Sequence, residues 1–288
     1  MRISVVLVTF GRAHLVSATI ESILNQTVSD FDLLISDDCS QDDTEAVCKS
    51  FCTEDKRVRY RRNPTRLGMP GNLNAALRES SGEFIANLDD GDLCDPYLLE
   101  RWRDRLLRYP RAAFVFNGYR HLAPDGSVQA ITGESLPECF PGRVLLEKIY
   151  FRRWRFDSPV WGTVMARRSA YETVGLFDER FGFYADVDMW LRLAERFPVA
   201  YVNEPLLTLP SRDTVPRLFS LSTREELRTV RRIFWEARMR HYRDRPLRRS
   251  GEGVRHASFT LASLTLEEML RGRRTFSSAQ RRIWELGQ

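Results

Sequence analysis

No stretch of this chain carries the roughly 18 to 20 consecutive apolar residues that a membrane span requires. Its opening, MRISVVLVTFGR, has an apolar run too short for a signal peptide and no cleavage pattern behind it. The five cysteines, Cys39, Cys48, Cys52, Cys94 and Cys139, lack any paired metal spacing. Cys48 and Cys52 lie four apart, and no His or Cys pair elsewhere completes a zinc site with them. An odd set of thiols reads as free cysteine in a reducing compartment, so the expectation is a soluble, cytoplasmic protein. Internal repeats and low-complexity segments are also missing. The segment RLGMPGNLN matches neither G-x-G-x-x-G nor the P-loop lysine motif, which argues against dinucleotide and kinase-like readings.

The 288 residues fit one large α/β domain or a domain with an extension. The net charge of +5 is modest but uneven. From about Phe151 onward arginines dominate, with pairs at Arg231-Arg232, Arg248-Arg249 and Arg273-Arg274. Such clusters suit an anionic partner or surface; they equally suit a solvated helical face.

Apolar runs at Ile3 to Phe10, Phe31 to Ser36, Val58 to Arg61, Phe84 to Leu88 and Ala112 to Asn117 predict strands. Between them, Ala13 to Gln26, Asp43 to Cys52, Asn72 to Ser80 and Asp95 to Tyr109 predict helices, the last with Asp95 as its N-cap. This alternation predicts a mostly parallel central sheet flanked by helices. Ligands then bind at the carboxyl ends of the strands, where Thr9 to Arg12, Asp37 to Ser40 and Asp89 to Asp92 fall. Beyond residue 117, His121 to Pro141 reads as a Pro- and Gly-containing loop. Trp161 to Arg167 and Val199 to Val202 read as strands, and Ser169 to Val174 and Asp186 to Phe197 as helices. The expected organisation is a catalytic domain over 1–215, with halves 1–117 and 118–215, and a basic helical extension over 216–288.

Asp89, Asp90 and Asp92 crowd three carboxylates at a strand end, a cost that a divalent cation with oxygen preference would offset. The plain alternative is a polar turn before a helix. Asp37 and Asp38 close another strand and could accept a hydrogen bond from a base or ribose, or belong to a loop that caps the next helix through Asp42 or Asp43. RLGMPGNLN, with Arg66, Gly68 and Asn72, has the content of a loop that hugs a ligand. Asp186 opens a helix striped with Trp190, Leu191, Ala194 and Phe197, and the helix dipole favours its anionic form, as a general base requires. It also fits a simple N-cap. Asp188 points to a different side, so one base is expected rather than a carboxylate pair.

Taken together, SVVLVTFGRAHLVSATIESILNQT, FDLLISDDCSQDDT, RLGMPGNLNAAL, GEFIANLDDGDLCDP and VGLFDERFGFYADVDMWLRLAERFPVAYVNEPL resemble a family 2 glycosyltransferase of the GT-A fold. The resemblance covers about Ile3 to Arg212. It implies that Thr9, Phe10, Gly11 and Arg12 line a nucleotide pocket and that Asp38, or Asp37 beside it, faces the base or ribose. It also implies that Asp89, Asp90 and Asp92 form a metal-diphosphate site, with Mn²⁺ or Mg²⁺ on Asp90 and Asp92, and that Asp186 deprotonates the acceptor. The implied reaction is inverting transfer from a nucleoside-diphosphate sugar to a glycan, lipid-linked or small-molecule hydroxyl, with no nucleic acid involved. The basic tail allows contact with the inner membrane face, and its helices allow self-association.

Three positions depart from the family pattern. Gly91 replaces an acid of L-D-x-D-D, Ala185 replaces the usual Glu before the base, and Arg212-Asp213-Thr214 lacks the histidine of R-x-H. Arg212 reaches the diphosphate in this reading, or is a surface arginine. These departures admit a catalytically weak or inactive nucleotide-sugar-binding relative. A sugar-phosphate nucleotidyltransferase ranks lower, because VTFGRAH has one glycine where a triphosphate loop needs several.

Overall fold

The computed structural model describes residues 2–133, 136–151, 162–211 and 224–243. The chain divides into two units, Met1–Phe219 and Ser220–Gln288. The first unit opens with strict alternation: β1 (Ile3–Thr9), α1 (Ala13–Leu24), β2 (Phe31–Asp37), α2 (Thr44–Glu54), β3 (Val58–Arg62), α3 (Met69–Glu79) and β4 (Phe84–Asp89). There follow β5 (Leu93–Cys94), α4 (Leu98–Arg108), β6 (Phe114–Leu122), β7 (Val128–Thr132), β8 (Cys139–Phe140) and α5 (Gly142–Phe151). β9 (Val164–Arg167), α6 (Arg168–Val174), a 3₁₀ segment (Glu179–Tyr184), α7 (Ala185–Arg196) and β10 (Val199–Leu209) complete it. In the second unit the described part is one helix, α8 (Arg224–Arg243), with an i,i+4 ion pair between Arg232 and Glu236.

The sheet runs β3-β2-β1-β4-β9-β6-β10-β5. Its first four strands are parallel, as expected from the alternation. All seven residues of β1 and of β2 are buried, which is what continuous Val, Leu and Ile runs permit when helices cover both faces. Val5, Leu7, Leu33, Ile35, Ala86 and Leu88 belong to one core with Val16, Ile20 and Ile23 of α1. The register sets Thr9 opposite Asp37 and Val8 opposite Asp89, so the ends of β1, β2 and β4 share one edge.

The second half departs from that simple pattern. β9 inserts antiparallel between β4 and β6, making the sheet mixed. His121 to Pro141 is not a loop throughout: β6 continues to Leu122 and folds back on β7 as a hairpin, and β8 pairs with β10. Asp95 does not cap α4. Its carboxylate accepts from the Tyr97 N–H at 3.2 Å, its carbonyl accepts from the Leu98 N–H at 3.0 Å, and the helix starts beyond them. At α2 the capping carboxylate is that of Asp42, which accepts from the Thr44 N–H at 3.2 Å and its hydroxyl at 2.6 Å.

Candidate active site

The loop after β1 is tied down through its backbone. Gly11 N–H donates to Ser40 Oγ at 2.8 Å and Arg12 N–H to Thr44 Oγ1 at 3.2 Å. Phe10 N–H reaches Asp90 Oδ2 at 3.4 Å. With its amide held, Phe10 presents a ring that is 38% exposed, and the Arg66 guanidinium lies over that ring, 4.0 Å from its centroid. Phe10 and Arg66, predicted from different loops, therefore meet.

Asp37 and Asp38 are spent inside the fold. The Asp37 carboxylate is fully buried and accepts from Ser40 N–H at 2.9 Å, Ser40 Oγ at 2.5 Å and Tyr60 OH at 2.6 Å. Asp38 accepts from Asn63 Nδ2 at 2.9 Å, Leu67 N–H at 2.7 Å and Gly68 N–H at 2.9 Å, and so shapes the loop that carries Arg66. Asn72 is likewise buried, accepting from Ser36 Oγ at 2.6 Å and donating to the Ser36 carbonyl at 2.8 Å. The hydrogen bonds of these three side chains lie inside the fold and shape the loops after β2 and before α3.

At the end of β4 the chain makes a tight turn, with Asp92 N–H directed at the Asp89 carbonyl at 3.4 Å. Its third residue, Gly91, has φ +94°, a conformation costly for any residue with a Cβ. An acid at this position would meet that backbone strain. Gly91 N–H is anchored on Thr19 Oγ1 of α1 at 2.9 Å. Burial, then the neighbouring Asp90 charge, pushes the Asp89 carboxyl up to about 6, against the pull of Arg12. Burial raises Asp90 too, opposed by the Thr9 hydroxyl and Arg12. Asp92 stands well above the usual carboxylate range, through burial and then the charge of Asp89. Among the described residues no set of three or more His, Cys, Asp or Glu side chains is arranged to hold a metal ion. Asp90 turns toward the Phe10 amide, while Asp92 Oδ2 accepts from the Thr163 hydroxyl at 3.0 Å.

Asp186 is the second residue of α7 and half-buried. Its Oδ1 accepts from Val187 N–H at 2.7 Å, so it is not the N-cap, a position held by Tyr184. The helix terminus does not hold it firmly ionised, contrary to expectation. Burial first, with a contribution from the charge of Asp89, pushes its carboxyl up to about 7, and the Val187 amide only partly opposes this. Asp186 and the acidic turn thus share one electrostatic environment. Ala185, at the place where the family pattern usually has a glutamate, is fully buried. Asp188 pairs with Arg192 at 2.7 Å, and Arg192 also donates to the carbonyls of Val174, Gly175 and Leu176. Asp188 is therefore held in an ion pair inside the fold. Arg212 and Trp161, the first residue of the strand expected over Trp161 to Arg167, lie outside the described residues.

Two further contacts escaped the sequence reading. Asn74 grips Phe177 by both backbone groups, accepting its N–H at 2.9 Å and donating to its carbonyl at 2.8 Å, and reaches Glu179 at 3.1 Å. This ties α3 to the segment leading into Asp186. Thr163 on Asp92 is the other. The only local hint for either was a polar residue inside an apolar pattern.

A mixed α/β sheet with helices on both faces and an acidic turn closing its fourth strand defines a domain of the GT-A class. The chain belongs to glycosyl transferase family 2, whose family description matches residues 4–175. Over 92 residues it is 40% identical to the GalNAc(5)-diNAcBac-PP-undecaprenol beta-1,3-glucosyltransferase of Campylobacter jejuni, a match spanning 32% of this chain and 30% of that enzyme. Over 197 residues it is 28% identical to the putative glycosyltransferase EpsE of Bacillus subtilis, covering 67% of each. Among solved structures, S. aureus TarS 1-349 in complex with UDP-GlcNAc superposes with a TM-score of 0.65 at 17% identity, over 82% of this chain and 66% of that 1-349 chain. Among the described residues no helix is long and apolar enough to cross a membrane.

Proposed function

We propose that this protein is an inverting glycosyltransferase that moves a sugar from a nucleoside-diphosphate sugar to an acceptor hydroxyl. The observation that supports the reading best is the family 2 match over residues 4–175, together with the acidic turn Asp89–Asp92 that closes β4 at the same sheet edge as the ends of β1 and β2. Phe10 and Arg66 supply a flat, cationic platform for the base of the nucleotide. UDP is the first choice of nucleotide, because TarS carries UDP-GlcNAc. Glycans and lipid-linked saccharides are the first choice of acceptor, because the Campylobacter relative is named for an undecaprenol-linked one.

In this reading Asp186 accepts the acceptor's hydroxyl proton as that oxygen bonds to the anomeric carbon. The bond from that carbon to the diphosphate oxygen breaks on the opposite face, and the nucleoside diphosphate leaves. Holding both reactants in line supplies much of the rate gain. Asp90 and Asp92 carry the oxygen donors that a hard divalent cation prefers and are the residues that would hold one; burial raises both carboxyls, and the Arg12 charge opposes this at Asp90. Bound Mn²⁺ or Mg²⁺ would offset charge on the diphosphate. Five unpaired thiols suit a cytoplasmic setting, where such donors are met.

The test is to incubate the protein with UDP-, dTDP- and GDP-sugars and Mn²⁺ and to follow nucleoside diphosphate release. Release from one donor class is expected. Silence with every donor, together with no nucleotide binding by calorimetry, would overturn the reading.

A further inference from the structure

The β6–β7 hairpin carries an apolar face with one cation beside the candidate site. β10 pairs with β6 from Val115 to His121 and so fills one side of that strand. The other side takes β9 at Phe114 and Val115 and β7 from Tyr119 to Leu122, so β7 continues the column that β9 occupies. β4 flanks β9, and Gly162, just before β9, is packed so that a Cβ on it would stand 2.9 Å from Asp89 Oδ2. The outer edge of β7 therefore faces the acidic turn.

Directly opposed residues in a ladder share a face of the sheet. Leu93 of β5, Thr208 of β10, Arg120 of β6 and Ile131 of β7 form one such row, about 14 Å long at the usual strand spacing. Leu122 and Val128 form the next pair, because the extra residue Gln129 turns Val128 to the face of Ile131. Ile131 is 63% exposed, Val128 53% and Leu93 37%. Phe114 lies on this same face of β6, and its ring packs on Trp190 of α7 with centroids 5.2 Å apart. It is thus the face that α7 covers, the helix that begins with Ala185 and Asp186. The Arg120 guanidinium lies 3.8 Å from Asp95 Oδ2, beyond hydrogen-bonding distance. Asp125, at the hairpin tip, is turned to Ser127, accepting its N–H at 2.9 Å and its hydroxyl at 2.6 Å.

We propose that this face is the acceptor surface and that it takes the lipid end of the acceptor, a polyprenyl chain bearing phosphate. The phosphate lies at Arg120, and the chain runs along Ile131, Val128, Leu122 and Leu93. The inference rests on the transferase reading only in taking the ligand for the acceptor. Aliphatic side chains exposed singly are ordinary, but a contiguous set on one face marks a surface that gains by being covered. A free glycan offers such a surface little apolar area, whereas a lipid chain offers much. The arginine fork matches a phosphate in shape as well as charge. The surface also lies toward the cleft, so a saccharide attached to that lipid reaches the edge where Asp186 and the acidic turn stand.

The test uses the full chain and phosphatidylcholine vesicles that carry polyprenyl diphosphate, polyprenol, phosphatidylglycerol or nothing further. The wild type is expected to float with the polyprenyl diphosphate vesicles and more weakly with the other three. Ile131→Ser should weaken that binding about tenfold, the scale of covering one large aliphatic side chain. Arg120→Gln should weaken it about tenfold as well, the scale of a hydrogen bond to a charged group, and Arg120→Lys should recover part of the loss. Melting curves establish that each variant is folded, and Val128→Ser makes the same comparison should Ile131→Ser fail to fold. Folded variants that float as the wild type does overturn the proposal, as does a wild type that binds none of the vesicles. Binding to phosphatidylglycerol vesicles that is equally strong and equally lost in the variants overturns it in favour of a general anionic membrane contact. A lipid-free dimer that Ile131→Ser converts to a monomer overturns it in favour of a second copy on this face. If the variants float normally while the wild type releases nucleoside diphosphate from a donor, the transferase reading survives alone. Flotation lost in the variants, with no nucleotide binding and no turnover on any donor, strikes the transferase reading and leaves the lipid surface standing.

Discussion

The Arg66 guanidinium stacks on the Phe10 ring at 4.0 Å, joining the loop after β1 to the loop before α3. Both residues are exposed, so the pair contributes little to folding, about 0.5–1 kcal/mol for an exposed cation–π contact. In the proposed reading its value lies in binding the nucleotide base. A base stacked on an aromatic side chain gains about 1–3 kcal/mol. Phe10→Ala is therefore expected to weaken UDP binding about tenfold, and Arg66→Ala by a smaller factor, with melting temperatures nearly unchanged. Calorimetric titration with UDP measures both.

Asp186 makes apo stability depend on pH with a defined sign. Its carboxyl is raised from 3.8 to about 7 in the fold. The stability tied to its protonated form is fully present below 3.8, the unfolded value, and is lost as pH rises toward about 7. Thermal melts in EDTA at pH 5 and pH 8 should show the wild type less stable at pH 8, and Asp186→Asn should shrink that difference. Asp89, raised to about 6, contributes in the same direction and remains in the variant.

Asp186→Asn should bind donor as the wild type does and lose transfer by about 10²–10⁴-fold, the usual worth of a positioned base. In the wild type, transfer should rise with pH through about 7, as the carboxylate becomes available. Normal transfer by Asp186→Asn would remove the base assignment.

The parallel half of the fold was legible because it is local. Each buried run and each helical stripe between Ile3 and Asp89 declares its own period, and the handedness of crossovers then places the polar strand ends together. What stayed hidden depends on distant segments. Nothing near Val164 announces an antiparallel strand between β4 and β6, because that choice is made by its neighbours in the sheet. The acids at Asp37 and Asp38 were visible as acids, but the donors that consume them come from Ser40, Tyr60, Asn63, Leu67 and Gly68. Asp186 stood out in the sequence by its place at a helix start. The dipole argument there is local, while the burial and the field of Asp89 that push its carboxyl up to about 7 are not.

Asn74→Ala would leave the Phe177 N–H and carbonyl buried without their partner. Each orphaned buried group costs about 1–3 kcal/mol, so a loss of about 2–4 kcal/mol is expected in chemical denaturation. Because the same contact steadies the approach to Asp186, transfer should fall more than UDP affinity does. Equal losses in the two would point to general unfolding instead.

Gly91→Ala forces a Cβ onto a residue at φ +94°, with Leu15 Cδ1 3.4 Å away. A cost of about 1–2 kcal/mol follows from the backbone alone. Opening of the turn should weaken Mn²⁺ binding along with stability, and melting curves recorded with and without Mn²⁺ will show whether the two fall together.

The most direct measurement is a crystal soaked with UDP and Mn²⁺. The account predicts the uracil ring at Phe10 and Arg66, the diphosphate and metal at Asp89, Asp90 and Asp92, and Asp186 facing the vacant sugar position. Nucleotide bound at another edge of the sheet, or Asp186 turned away from the diphosphate, would contradict it.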